Sequence, residues 1–129
     1  MKKMNSQNEV LRYKACLVAR GFTQRLGVDY GDTYSPVTRP ETIRTMLAIA
    51  AQRGWKLRQF DVKTAFLNGR LEEDLYMRQP EGFADQMDRV CKLHRSIYGL
   101  KQSSKCWFQC LTDFLEEIGM KASSADPCM

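Results

Sequence analysis

Residues 60–69 are Phe60-Asp61-Val62-Lys63-Thr64-Ala65-Phe66-Leu67-Asn68-Gly69, a stretch in which a single acid stands between an alternating segment and a turn. Residues 55–63 alternate apolar and polar side chains, a pattern that predicts a β-strand. The residues that follow, closed by Asn-Gly, predict a turn or a short helix. From residue types alone, Asp61 is either a metal ligand held at a strand end or an ordinary surface acid, and the second interpretation is favoured.

Upstream of this stretch, the sequence predicts a strand, a loop and a helix. Residues 1–9 are polar and are expected to be disordered. Residues 10–20 alternate in a way that predicts a strand with a basic face, and residues 21–37 predict a loop. Thr38-Arg39-Pro40-Glu41 combines a capping threonine, a first-turn proline and a capping box, so it predicts the start of a helix that ends at Gly54.

Downstream of it, the sequence predicts two short strands. Residues 75–77 predict one strand and residues 89–93 another, with a loop at 80–88 between them. The acidic run at 72–74 predicts a solvated turn.

A second long helix follows the turn predicted at residues 98–102. It is expected to start near Ser103 or Ser104 and to end at Gly119. The complete order of strands and helices is that of an α+β fold, with two main helices and an incomplete sheet.

Length and composition fit one domain and disfavour membrane and secreted proteins. The chain has 129 residues, of which 43% are hydrophobic and 27% charged. No stretch approaches the roughly 20 apolar residues of a membrane-spanning helix. The first residues have no apolar segment behind their charges, so they do not predict a signal peptide.

The positive charge of the chain is concentrated in its first half. The net charge is +5, from 20 Lys and Arg against 15 Asp and Glu. Residues 1–60 carry 11 basic and 4 acidic side chains, residues 61–90 carry 4 and 7, and residues 91–129 carry 5 and 4. A basic first half would attract a polyanion such as nucleic acid, although the same composition also suits a basic domain without such a partner.

The cysteines are odd in number and irregularly spaced, so they indicate no disulfide framework. They are Cys16, Cys91, Cys106, Cys110 and Cys128. Reduced thiols in a cytosolic or nuclear compartment are the simplest state. A zinc site built from Cys91, His94, Cys106 and Cys110 is a weaker alternative. Structural zinc sites usually contain tight pairs of cysteines, so we favour buried or incidental thiols.

The stretch at 60–69 resembles the first catalytic motif of reverse transcriptases of copia-type long-terminal-repeat retrotransposons. Other segments resemble further blocks of that family, in its order and spacing, from about residue 10 to residue 128. These segments are Tyr13-Lys14-Ala15 with Leu17-Val18-Ala19-Arg20-Gly21-Phe22-Thr23-Gln24, Thr33-Tyr34-Ser35-Pro36-Val37, Arg39-Pro40-Glu41-Thr42-Ile43-Arg44, Leu75-Tyr76-Met77 with Gln79-Pro80-Glu81-Gly82-Phe83, and Tyr98-Gly99-Leu100-Lys101-Gln102-Ser103 with Trp107-Phe108. Several long motifs in one order make the resemblance specific.

The resemblance implies part of a polymerase right hand, namely part of the fingers followed by the front of the palm. Asp61 would be the first metal-binding carboxylate, with the main-chain carbonyl of Val62 as a further ligand. Two Mg²⁺ ions held by carboxylates would activate the primer 3′-hydroxyl and neutralise charge on the triphosphate. Phe66 would be the steric gate, an aromatic ring that excludes a 2′-hydroxyl and so selects deoxynucleotides.

The resemblance also implies nucleotide-binding residues and partners. Gln102 would reach toward the incoming nucleotide from a helix start, where free N–H groups favour phosphate. Lys101 would add positive charge, and Lys14 and Arg20 would contact triphosphate or template. For each of these basic and polar residues, an ordinary solvated position is the alternative. The implied partners are template-primer nucleic acid and deoxynucleoside triphosphates, with no membrane, in a cytoplasmic virus-like particle or the nucleus, both intracellular.

The sequence departs from the family pattern in several places. Cys16 stands where an arginine is common, Ser104 where a proline is usual, and Cys106 where an alanine is usual. The family's Tyr-Val-Asp-Asp motif is absent from the 129 residues, which contain no Asp-Asp pair. Because one carboxylate cannot hold two Mg²⁺ ions, we expect a partial domain over residues 10–129, truncated before that motif and inactive alone. The alternative is a non-catalytic nucleic-acid-binding remnant that uses residues 1–60.

Overall fold

The computed structural model describes residues 2–13, 15–85 and 87–129, which form two α-helices and two small antiparallel sheets. In chain order the strands and α-helices are β1 (Lys2–Met4), β2 (Val10–Tyr13), α1 (Pro40–Arg53), β3 (Arg70–Arg78), β4 (Val90–Arg95) and α2 (Ser103–Glu117). Short 3₁₀ helices lie at Gly21–Thr23 and Ala65–Asn68. The mixture of helices and strands agrees with the predicted class, but the strands form two separate hairpins instead of one incomplete sheet.

The chain begins with a hairpin of β1 and β2. Its turn is closed by Asn5, whose Oδ1 accepts hydrogen bonds from the N–H groups of Gln7 and Glu9 at 3.0 and 2.9 Å. The structure therefore differs from the disorder predicted for residues 1–9. Polar composition alone hides the fact that an asparagine can organise a tight turn and so bring two short strands together.

The strand predicted over residues 10–20 ends with β2. Residues 15–20 leave the hairpin and cross to the turn that precedes α2. There Val18 forms an isolated parallel bridge with Tyr98, and the Ala19 N–H donates to the Tyr98 carbonyl at 2.7 Å. The second half of the predicted strand thus finds its partner about 80 residues away, where a local pattern carries no information.

Two glycines permit this crossing. A Cβ on Gly21 would lie 1.9 Å from the carbonyl oxygen of Gly99, and a Cβ on Gly99 would lie 2.2 Å from the carbonyl oxygen of Ala19. Gly99 also has a φ of 94°, in the left-handed region that favours glycine. Backbone therefore packs directly on backbone at this point.

We expect Gly99→Ala to lower the free energy of unfolding by about 2–4 kcal/mol, because it combines a strained φ with a clash against backbone. Urea denaturation followed by tryptophan fluorescence measures the loss. Gly31→Ala is the matched control, since a Cβ there meets nothing within 4 Å. Equal stability of the two variants would contradict the close crossing.

The helix α1 begins and ends near its predicted limits. Pro40 occupies the first turn as predicted, but the capping position belongs to Arg39 rather than to Thr38, and no side chain caps the helix from there. Gly54 ends the helix as predicted, in the left-handed conformation with a φ of 65°.

The start of α1 is held by a distant carboxylate. Asp126 is 4% exposed, and its Oδ2 accepts hydrogen bonds from the Thr42 hydroxyl at 2.7 Å and from the Arg39 N–H at 3.4 Å. Its Oδ1 accepts a hydrogen bond from the Cys128 N–H at 2.9 Å. The Thr42 hydroxyl, and next the Cys128 N–H, hold the pKa of Asp126 below its ordinary value. A negative charge near the N-terminus of α1 also interacts favourably with the helix dipole.

Asp126→Asn is expected to destabilise the protein near neutral pH and to lose this effect in acid. The folded-state pKa of Asp126 lies below the ordinary value of 3.8, so the carboxylate adds stability that is complete above about pH 5 and is lost as the pH falls through the folded-state pKa. Urea denaturation from about pH 7 down to about pH 3 measures this difference. Asp88→Asn, at an exposed position, is the control. A constant difference across that pH range would argue against an ionised Asp126.

The strand predicted over residues 55–63 is wrong. Residues 55–62 have no regular secondary structure, and Phe60 is 83% exposed. The strands of the described residues pair only within the two hairpins, so this segment has no neighbouring strand. An alternating sequence forms a strand only where a partner accepts its backbone hydrogen bonds.

The second hairpin, of β3 and β4, is longer than predicted. β3 includes the acidic run at 72–74, which the sequence predicted as a solvated turn. The less exposed positions alternate with the more exposed ones, and they are Leu71, Glu73, Leu75 and Met77. This alternation, together with pairing to β4, outweighs the charge of the acidic run.

The helix α2 starts at Ser103, close to the predicted limit, but the capping position belongs to Gln102 and not to a serine, and the chain turns at Gly119 after the helix. It packs on the 3₁₀ helix Ala65–Asn68 and on β3. In the described part of the chain the buried apolar side chains are Ala50, Leu75 and Ile97, and the buried polar ones are Ser96, Gln102, Ser103 and Asp126. Neither α1 nor α2, the two α-helices described, is long and apolar enough to cross a membrane.

Candidate functional site

The motif at 60–69 places its acid in solvent. Asp61 and Val62 are exposed and lie on the irregular segment before the 3₁₀ helix Ala65–Asn68, which confirms the predicted turn or short helix. Thr64 begins this turn in the left-handed conformation, with a φ of 53°. The Asp61 carboxylate is therefore accessible to a cation.

Phe66 is fixed through both its backbone and its ring. Its carbonyl oxygen accepts hydrogen bonds from the Ser96 hydroxyl and from the Gly69 N–H, the latter at 3.1 Å. Its ring meets the Tyr98 ring edge to face, with centroids 4.9 Å apart and planes at 63°. With Trp107 of α2, Phe66 also lines a groove of about 490 Å³. The structure thus brings Phe66 against the first turns of α2.

Gly69 lets the end of the motif approach α2. A Cβ on Gly69 would lie 2.8 Å from the backbone carbon and the Cβ of Cys106. The Gly69 carbonyl oxygen accepts a hydrogen bond from the Ser96 N–H at 2.9 Å. The motif is therefore held between α2 and the residue that follows β4.

Gln102 is 1% exposed, and both ends of its carboxamide are hydrogen-bonded. Its Nε2 donates to the Asp29 carbonyl at 3.0 Å and to the Glu73 carboxylate at 3.3 Å. Its Oε1 accepts a hydrogen bond from the Gln24 Nε2 at 3.0 Å. In this structure Gln102, which was predicted to reach toward a nucleotide, connects the loop that contains Asp29 with β3 and with the start of α2.

Lys101 is also engaged with the loop before α1. Its N–H donates to the Gln24 Oε1 at 2.8 Å, so this backbone group is not free for phosphate. Its ammonium lies 5.3 Å from the centroid of the Tyr30 ring, within the range of a cation–π interaction. The positive charge of Lys101 is thus held over the loop, close to Gln102.

The basic residues of the predicted fingers strand are divided between two places. Arg20 is exposed on the crossing segment, where its carbonyl oxygen accepts a hydrogen bond from the Thr23 hydroxyl at 2.8 Å. Lys14 lies outside the described residues. Lys3 and Arg12, both exposed, stand opposite each other in the β1–β2 hairpin. The structure does not join Arg20 to that hairpin as one basic strand face.

The cysteines give no geometric support to the zinc alternative. All five are free thiols. Burial, and after it the negative charges of Glu73 and Glu72, raises the pKa of the Cys106 thiol. Over residues 2–13, 15–85 and 87–129, no three His, Cys, Asp or Glu side chains come together as a metal site.

Three residues that position the site were missed by the sequence analysis: Gln24, Glu73 and Ser96. Glu73 could have been found, because the alternation in β3 places it on the less exposed face. Gln24 and Ser96 form hydrogen bonds to residues 78 and 30 positions away, respectively. No periodic pattern in the sequence marks such polar partners.

Comparison with known proteins identifies the family to which the chain belongs. The sequence profile of the family described as reverse transcriptase (RNA-dependent DNA polymerase) matches residues 1–129. The chain therefore belongs to the reverse transcriptase family. No solved structure matches the chain.

The relatives are Pol polyproteins of transposons, which confirms the resemblance drawn from the motifs. The chain is 48% identical to the retrovirus-related Pol polyprotein from transposon RE1 of Arabidopsis thaliana, over 97% of the chain and 9% of that polyprotein. It is 43% identical to the polyprotein from transposon TNT 1-94 of Nicotiana tabacum, over 98% of the chain and 10% of the relative. It is 30% identical to the transposon Ty1-H Gag-Pol polyprotein of Saccharomyces cerevisiae, over 91% of the chain and 6% of the relative. The chain thus spans a tenth or less of these polyproteins.

Gln102→Leu is expected to lower the free energy of unfolding by about 2–3 kcal/mol, because it removes the hydrogen bonds that the buried carboxamide makes to its half-buried partners. Denaturation in urea measures the change. Gln109→Leu, at an exposed position of the same helix, is the control. If both variants unfolded at the same urea concentration, the network around Gln102 would not be holding the loop and β3 to α2.

Proposed function

We propose that this chain forms the fingers and front-palm part of a copia-type reverse transcriptase, where it receives the incoming deoxynucleotide beside the template-primer. The observation that carries the proposal is the family match over all 129 residues. Within that match, the motif at 60–69 is folded against the first turns of α2. Because the chain spans a tenth or less of its polyprotein relatives, the complete reaction, RNA- and DNA-templated DNA synthesis, belongs to a larger protein.

Asp61 supplies one part of a divalent metal site in this proposal. Its exposed carboxylate is the hard oxygen ligand that Mg²⁺ prefers, and the neighbouring Val62 carbonyl offers another oxygen. When bound, two Mg²⁺ ions would activate the primer hydroxyl and neutralise the triphosphate. No group of three metal-ligating side chains occurs among the described residues, so the present residues fit the site only in part. The 129-residue chain alone is therefore proposed to be inactive.

Phe66 is proposed to be the gate that excludes the 2′-hydroxyl. Its backbone is anchored by Ser96 and its ring is fixed by Tyr98. A rigid ring can reject an extra hydroxyl by direct contact, whereas a mobile ring would move aside. The anchoring of Phe66 beside α2 therefore supports this role.

Gln102 and Lys101 are proposed to border the nucleotide at the start of α2. A direct contact between the Gln102 carboxamide and a nucleotide requires it to exchange one of its present hydrogen bonds. The bond to Glu73, at 3.3 Å, is the longest of the three. The Lys101 side chain is exposed, and contact with a phosphate requires it only to leave the face of the Tyr30 ring.

The exposed basic residues support electrostatic attraction of template and triphosphate. Lys3 and Arg12 face each other across the hairpin, and like charges in such a pair repel unless an anion lies nearby. The same attraction is proposed for Arg20, which is exposed on the crossing segment, and for Lys14, on the grounds of its sequence position. Phosphate contacts of this kind give affinity that depends on salt and not on base sequence.

An intracellular site of action, in a cytoplasmic virus-like particle or the nucleus, is proposed because the chain belongs to the reverse transcriptase family.

Primer extension tests the proposal. The 129-residue chain should not extend a template-primer, whereas the RE1 polyprotein in which this chain replaces the matching segment should. In that chimera Asp61→Asn should reduce extension to background, because the first metal ligand is lost. Asp88→Asn, at an exposed acid outside the motif, is the control.

Three outcomes would contradict the proposal in different ways. Extension by the 129-residue chain alone would mean that its own residues complete the site. Extension by the Asp61→Asn chimera would mean that the first metal ligand is another residue. A chimera that binds template-primer in a salt-dependent manner but does not extend it would favour the non-catalytic nucleic-acid-binding alternative.

A further inference from the structure

We infer that Tyr98 positions the ring of Phe66 and so sets how strictly the site discriminates deoxyribose from ribose. This inference rests on the proposed role of Phe66 as the sugar gate. The contact between the two rings is a separate observation that can be tested without any catalysis.

The rings of Phe66 and Tyr98 are in direct contact. The two rings meet edge to face at 4.9 Å between centroids and 63° between planes, a preferred arrangement for aromatic pairs. Such a pair adds stability beyond the burial of its area, by an amount comparable to the cost of turning a side chain about 30° away from its rotamer. Tyr98 therefore favours one orientation of the Phe66 ring over others.

Tyr98 is itself held in place by backbone contacts. Its carbonyl oxygen accepts the hydrogen bond from the Ala19 N–H at 2.7 Å, and it bridges to Val18. The next residue, Gly99, packs against the Ala19 carbonyl, where a Cβ would lie 2.2 Å away. Because the backbone of Tyr98 is held at this crossing, its ring has a fixed position from which it can orient Phe66.

The ring of Tyr98, and not its hydroxyl, orients Phe66. The residue is 38% exposed. In the part of the chain that the structure describes, its hydroxyl has no hydrogen-bond partner, whereas its ring contacts Phe66. Tyr98→Phe should therefore preserve the effect and Tyr98→Leu should remove it.

The ring contact is tested first in the 129-residue chain, by NMR of protein labelled on its phenylalanine rings. The Phe66 signals are assigned by their loss in Phe66→Val. They should shift in Tyr98→Leu, because the ring current of Tyr98 is lost, and should stay near their original positions in Tyr98→Phe. Tyr76→Leu, at an exposed tyrosine of β3, is the matched control and should leave them in place. Unmoved Phe66 signals in Tyr98→Leu would overturn the inference.

The consequence for the sugar is tested in the RE1 chimera by steady-state incorporation of a deoxynucleotide and of the matching ribonucleotide. The ratio of their kcat/KM values does not depend on the fraction of folded enzyme, so partial unfolding of a variant cannot imitate the effect. Tyr98→Leu should lower this ratio by about three- to tenfold, in line with the size of an aromatic pair. Tyr98→Phe and Tyr76→Leu should leave it unchanged.

The outcomes separate this inference from the proposed function. If Phe66→Val raises ribonucleotide use but Tyr98→Leu does not, the inference fails while the role of Phe66 stands. If Tyr98→Leu slows both nucleotides equally, Tyr98 has only a structural role and the inference also fails. If Phe66→Val leaves the ratio unchanged in an active chimera, the gate and the inference fall together, while the polymerase assignment stands.

Discussion

The crossing of residues 18–21 over the turn at 98–99 is the contact on which the remaining structure depends. Backbone lies so close to backbone there that neither Gly21 nor Gly99 has room for a Cβ. The crossing brings together two points that are far apart in the chain, and everything between them, from α1 to β4, is enclosed in one loop. Because the entropy of closing a loop grows only slowly with its length, a short contact can hold such a large segment.

Buried polar groups, more than apolar ones, determine the geometry of the site. Ser96 anchors the turn of the motif, and Gln102 joins a loop and β3 to the start of α2. A buried polar group is costly unless its partners are in place, so each network permits few alternative arrangements. Polar networks therefore fix the neighbourhood of Phe66 in a part of the chain where the buried apolar side chains described are few.

The features that the sequence predicted correctly are those decided by neighbouring residues. The helices α1 and α2, the glycines that follow them and the turn at 64–69 follow from apolar periodicity, the first-turn proline of α1 and turn chemistry within a few positions. The strand at 55–63 was wrong because a strand also needs a partner, and none lies beside it in the described residues. The resemblance predicted that Gln102 contacts the nucleotide. It did not predict the hydrogen bond from Gln24, 78 positions away, because no local pattern marks such a partner.

The close packing of Gly69 on Cys106 has a consequence for chemical modification. The Cys106 thiol is half-buried, and burial together with the nearby carboxylates of Glu73 and Glu72 raises its pKa, which lowers the fraction of the reactive thiolate. Alkylation of Cys106 should therefore be slower than that of an exposed thiol and should become faster whenever the motif separates from the helix. Cys16 is exposed and offers an internal reference within the same molecule. The ratio of the labelling rates of Cys106 and Cys16 therefore reports how often the site opens, and mass spectrometry measures it without any substrate.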